Sequence, residues 1–210
     1  MKTPKEQNFE RELPAGYKEA MYINAKDAKF GIIFNAIGLL VMLVVMAIAV
    51  LPLLFDDSIK WSVYFEDDTN VIIRALWFYL ILYAVYIVLH ELVHGCAYKT
   101  LTGEKLTFGI SWSCAFCGVP SIFTYRKAML IAVLAPFVTF TLIFIPMTIV
   151  FYFVNPIYYL AMALVLASHL GGCGGDLYVY YLLMTKFKSE KTLLRDTGPE
   201  QFFYVPEEEE

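Results

Sequence analysis

The chain has 210 residues, 59% of them hydrophobic and only 17% charged, with a net charge of −4 and a mean hydropathy of +0.60. Soluble domains average about 25% charged and 45–50% apolar residues, so an ordinary water-soluble globule is excluded. A net negative chain also lacks the electrostatic footprint that nucleic acid requires, and no such partner is expected.

Residues 1–30 are polar and mixed in charge, without the apolar core and small-residue cleavage site of a secretory leader. They predict a cytoplasmic N-terminal segment. Crossing a hydrocarbon core takes about 20 apolar residues at 1.5 Å of rise each. Residues 31–55 carry no charge and predict the first transmembrane helix. A polar loop follows, with Asp56, Asp57, Glu66, Asp67 and Asp68 against the single cation Lys60. Residues 71–98 predict the second helix, interrupted by Arg74 at its start and by His90-Glu91 late in its length.

Between the second and third helices the period changes from helical to two. Leu106, Phe108, Ile110, Trp112, Cys114 and Phe116 alternate with smaller or more polar residues, the pattern of a strand with one apolar face. Gly118-Val119-Pro120 offers a turn, and residues 121–125 a returning strand. A lone hairpin is marginal in water, so this one must lean on the helices or the interface.

Residues 128–175 contain no formally charged side chain and are too many for one crossing. Asn155-Pro156 divides them into helices at 128–154 and 156–184. Residues 185–210 are polar again and end in the acidic run Glu207 to Glu210, which reads as a solvated tail. The expected fold is therefore an all-α membrane protein of four transmembrane helices, with a small β-hairpin between helices 2 and 3. Its expected organisation is a single membrane-embedded domain at 31–184 between cytoplasmic segments at 1–30 and 185–210. Lysine and arginine set the orientation. Six lie in 1–29, four in 99–127 and four in the tail, against Lys60 alone in the loop between the first two helices. Both termini are thus expected in the cytoplasm, in a multi-pass protein of the cell membrane.

The chemistry is concentrated in His90-Glu91-Leu92-Val93-His94. Residues four apart on a helix project from one face, so His90 and His94 can hold one Zn²⁺ through ring nitrogens. Glu91 lies beside that face, placed to take a proton from water. Ionisable groups inside a membrane segment are costly and mark function by default. Zinc needs a third protein ligand at the same depth. His90 lies about 19 residues past the start of its helix and Asp176 about 20 past the start of the fourth, so equal rise brings them level. Asp176 is therefore the expected third ligand. It follows the glycine-rich Gly171-Gly172-Cys173-Gly174-Gly175, which permits close helix contact or a local break. His169 and Cys173 are the rivals, His169 having an interhelical polar contact as its alternative role and Cys173 simple packing. Cys114-Ala115-Phe116-Cys117 has a spacing found in zinc and redox sites, but on the cytoplasmic side its thiols are expected to stay reduced.

These residues carry a resemblance. Leu13-Pro14-Ala15-Gly16-Tyr17, His90-Glu91-x-x-His94-Gly95, Ala135-Pro136-Phe137 and Gly175-Asp176 together resemble the zincin metallopeptidase family of small bacterial membrane proteins. That family is in turn similar to the site-2 protease group of intramembrane zinc metalloproteases. The resemblance implies His90, His94 and Asp176 as zinc ligands and Glu91 as catalytic base. The chain departs from the larger group at the third ligand, where Gly-Gly-Asp-Leu replaces a Leu-Asp-Gly preceded by asparagine and prolines. The expected activity is a zinc-dependent peptidase acting on membrane-associated proteins or peptides near the cytoplasmic face. The alternative is a non-catalytic zinc-binding regulator or accessory protein. In the first case the 106–116 strand either pairs with an extended substrate or plugs the cytoplasmic mouth.

Overall fold

A computed structural model describes residues 5–59, 70–110 and 115–207. The long apolar runs are helices: α1 Ala28–Phe55, α2 Val71–Thr102, α3 Arg126–Val154, α4 Pro156–Gly172 and α5 Gly174–Thr185, the last two replacing the single fourth helix expected over 156–184. The first three are each long and apolar enough to cross a membrane, and α4 and α5 pass the same test only together, as a broken span or a re-entrant loop. Asn155 alone separates α3 from α4. Its side chain caps α4 by accepting from the backbone N–H of Ile157 and Tyr158 at 2.9 and 3.2 Å, with Pro156 at the first helical position. Cys173 alone separates α4 from α5, within the glycine run.

The expectation of an all-α fold needs correction. Among the described residues, seven strands accompany the helices: β1 Phe9–Glu10, β2 Tyr17–Asn24, β3 Thr107–Ile110, β4 Ala115–Gly118, β5 Phe123–Tyr125, β6 Leu193–Asp196 and β7 Glu200–Pro206. Five of them form an antiparallel sheet in the order β1-β5-β6-β7-β2. The three segments richest in lysine and arginine, 1–29, 99–127 and the tail, all contribute to it. A register shift between Glu19 and Met21 breaks the alternation of β2, which hides the strand from a period-two search.

The hairpin exists, but its turn is displaced from the expected position. β3 pairs with β4, Ile110 standing opposite Ala115 and Thr107 opposite Gly118. Gly118-Val119-Pro120 is therefore not the turn of this hairpin, and residues 111–114, between its two strands, lie outside the described residues. Phe123–Tyr125 joins the large sheet instead. Alternation alone cannot distinguish one long strand from two short ones folded together. Gly109 makes this folding possible, because the ring of Phe116 lies over the space its side chain would fill.

The residues fall into two compact units. The first comprises 1–34, 88–136 and 175–210. Its core gathers Phe9, Tyr98, Ile122, Met129, Leu183, Leu194 and Phe203, among others, between sheet and helix ends. The second comprises 35–87 and 137–174. There α1 and α4 approach so closely that a Cβ on Gly38 would stand 2.7 Å from the carbonyl oxygen of Gly171. Such backbone contact is the use of small residues where no hydrophobic drive pulls helices together.

Candidate metal centre

His90 and His94 stand one turn apart on α2, both buried, with ring centroids 5.0 Å apart. Asp176 enters from the first turn of α5, where the positive end of the helix dipole favours a carboxylate. Its Oδ2 lies 3.1 Å from His90 Nε2 and 3.3 Å from His94 Nε2. All three residues belong to the first unit. The three ligand atoms lie within 4.8 Å of one another.

These distances test whether a metal fits. With zinc–nitrogen and zinc–oxygen bonds of about 2.0–2.2 Å, neighbouring ligands of a tetrahedral ion stand roughly 3.3–3.6 Å apart. The two carboxylate–imidazole separations are at or slightly below that edge, so a small outward shift would seat the ion. The donor set also suits zinc, which accepts imidazole and carboxylate ligands together.

His94 is oriented from outside its helix. A carbonyl oxygen only accepts, so the 2.9 Å contact between His94 Nδ1 and the Ala132 carbonyl on α3 requires an N–H at Nδ1. The neutral ring then carries its lone pair at Nε2, the atom facing Asp176. Support of this kind fixes the tautomer of a metal-binding histidine. Glu91 is partly buried and within electrostatic reach of His90, His94 and Asp176. Its carboxylate is not one of the three clustered ligand atoms.

Gly95 explains the small residue directly after the motif. A Cβ there would stand 2.7 Å from Phe108 Cζ and 3.2 Å from Leu106 Cδ1. The hairpin therefore packs on the helix beside His94.

The rivals also have partners of their own. His169 is fully buried in the second unit. Its Nδ1 meets the Tyr86 hydroxyl at 2.9 Å and its Nε2 the Thr141 hydroxyl at 3.0 Å, inside a ring of Phe137, Phe140 and Phe144. That is a polar contact between helices, with both ring nitrogens engaged. Cys173 lies beside it, Sγ 3.5 Å from His169 Nδ1. Of the cysteine pair, Cys114 lies outside the described residues. Burial pushes the Cys117 thiol up to about 12, with the Asp196 carboxylate adding to the effect. Metal binding and redox exchange both require a thiolate, which this environment suppresses.

Sequence reasoning missed three neighbours of the site: the Ala132 carbonyl, Tyr98 and Asp196. Tyr98 was discoverable, since it follows His94 by four residues on the same helix face. The other two gave no local signal.

The family model described as "Putative zincin peptidase" matches residues 83–190, just over half of the chain and inclusive of His90, Glu91, His94 and Asp176. No curated protein and no solved structure matches the chain. The chain belongs to this zincin peptidase family.

Proposed function

We propose that the protein is a membrane-embedded zinc peptidase of site-2-protease-like type, cutting membrane-associated proteins near the cytoplasmic face. The observation that carries this reading is the convergence of His90, His94 and Asp176 from two apolar helices. His90, His94 and Asp176 would hold the ion. Zinc there supplies a Lewis acid that acidifies water and polarises a carbonyl. Glu91 accepts the proton of the attacking water on its carboxylate and delivers it to the leaving amine nitrogen as the peptide C–N bond breaks. His94, held by Ala132, keeps its orientation throughout.

The substrate must arrive extended, because a helix hides its carbonyls in internal bonds. β3 supports strand pairing with it. Among the described residues it is bonded to β4 on one side, and Ile110 is 83% exposed. An exposed edge of this kind can add a strand from a partner, here beside Gly95 and hence beside the motif. The orientation with both termini cytoplasmic is supported by the five-stranded sheet, which draws the three basic segments together.

Glu91→Gln provides the test. Protein purified in detergent should carry zinc, and the variant should keep it while losing cleavage of candidate membrane peptides. Equal cleavage by both would remove Glu91 from the reaction, and a wild type without zinc would overturn the reading. Zinc retained without any cleavage by the wild type would favour a non-catalytic zinc-binding regulator.

A further inference from the structure

Asp196 is a buried carboxylate that the proposed reaction does not use. It sits on β6, beyond the residues matched by the family model, and is only 4% exposed. Its Oδ2 accepts the hydroxyl of Tyr98 at 2.5 Å. Its Oδ1 accepts the Gly198 N–H at 2.8 Å, and its backbone carbonyl accepts the Val119 N–H, also at 2.8 Å. The carboxylate is thus held by its own strand turn and aimed at α2.

Tyr98 is 1% exposed and lies one turn beyond His94, on the same face of α2. Its hydroxyl also approaches Met129 Sδ on α3 at 3.1 Å. Three residues further along α3 is Ala132, whose carbonyl holds His94. Two rungs therefore join the helices, His94 to Ala132 and Tyr98 to Met129, and the second is anchored by Asp196.

We propose that Tyr98 and Asp196 are a positioning pair through which the C-terminal strand β6 orients the metal ligand His94. The inference rests on the zinc reading above. A buried carboxylate is costly unless its partners compensate, and here burial lifts Asp196 to about 6 despite bonds to Tyr98 and Gly198. The Tyr98–Asp196 hydrogen bond ties the end of α2 to β6 and holds it in place. Without that bond the last turns of α2 shift against α3, and the His94–Ala132 rung lengthens.

The test uses the full-length protein in detergent, loaded with zinc or with Co²⁺ as a spectroscopic probe. Zinc dissociation constants come from chelator competition, ligand geometry from the Co²⁺ absorption spectrum, and stability from thermal unfolding. Removing support for a metal-binding histidine typically weakens binding about 10–100-fold, and one turn of separation places the expected effect near tenfold. Tyr98→Phe, which keeps the ring in the core, and Asp196→Ala should both show it, with an altered Co²⁺ spectrum. Asp196→Asn should rescue both readouts. Its carbonyl can accept from Gly198, its amide can donate to Tyr98, and the Tyr98 proton can turn to Met129. Thermal destabilisation with unchanged zinc affinity and Co²⁺ spectrum would make the pair merely structural and overturn the proposal. Binding abolished by His94→Ala but untouched by Tyr98→Phe and Asp196→Ala would overturn the pair alone. A wild type that binds no zinc would overturn the metal centre and the pair together.

Discussion

His94 is held by Ala132, a residue of another helix, through an Nδ1–H bond of 2.9 Å to its backbone carbonyl. Because the acceptor is backbone, side-chain truncation cannot remove it, but crowding can. Ala132 is fully buried, and Ala132→Leu would force α3 away from α2. Overpacking of this kind costs about 1–3 kcal/mol. The expected outcome is lower thermal stability together with weaker zinc binding by chelator competition. Unchanged zinc affinity in a destabilised protein would show that the ring does not need this carbonyl.

A second prediction concerns Gly95. Its hypothetical Cβ meets side-chain tips of Phe108 and Leu106 rather than backbone, so the hairpin can yield by moving. Gly95→Ala should therefore leave bound zinc near the wild-type level while lowering peptide cleavage at least ~10-fold, because small misplacements near reacting groups are expensive. Adding Phe108→Ala relieves the clash and should restore part of the rate if the hairpin's position, rather than its phenyl ring, matters. Cleavage assays on the two variants separate these effects.

The elements that were legible in the sequence are those whose signal is local. Long apolar runs dictate α1, α2, α3 and the span that the chain divides at Cys173 into α4 and α5, and Asn155-Pro156 marks a helix boundary because the asparagine caps and the proline starts α4. The proximity of Asp176 to His90 followed from equal rise along two spans. The large sheet was not legible, since β2 pairs with β7 across most of the chain, Tyr17 opposite Pro206. Its register shift also removes the alternation that would have flagged β2. Ala132 escaped notice because any residue type can offer a carbonyl. Asp196 did so because one aspartate in a polar tail looks solvated until the strand is placed.

The close approach of Gly38 and Gly171 yields a third prediction. A Cβ at Gly38 would meet backbone oxygen at 2.7 Å, and backbone cannot step aside as a side-chain tip does. Gly38→Ala should cost about 1–3 kcal/mol by overpacking. Gly172→Ala is the control, since nothing lies within 4 Å of the point its Cβ would occupy, and a small change of either sign is expected there. Unfolding in mixed micelles compares the two. Equal stability of both variants would mean that α1 and α4 do not rely on this contact.

Asp196 also makes a prediction about pH. Burial raises its carboxyl to about 6, above the roughly 3.9 of an unfolded chain. The native state therefore binds this proton more tightly than the unfolded state. Its contribution to stability is full below about pH 4, is lost as pH rises through about 6, and is flat above that. The difference is on the order of 3 kcal/mol if the whole shift is expressed. The titratable groups acting on Asp196 are Tyr98 and His94 from α2, Asp176 from α5 and Cys117 from β4, and all remain in Asp196→Asn. Wild type minus Asp196→Asn should thus isolate this one group. Thermal unfolding at a series of pH values between 4 and 7 should show the stability difference moving against the wild type as pH rises. A difference independent of pH would mean that Asp196 titrates in the fold as it does in water.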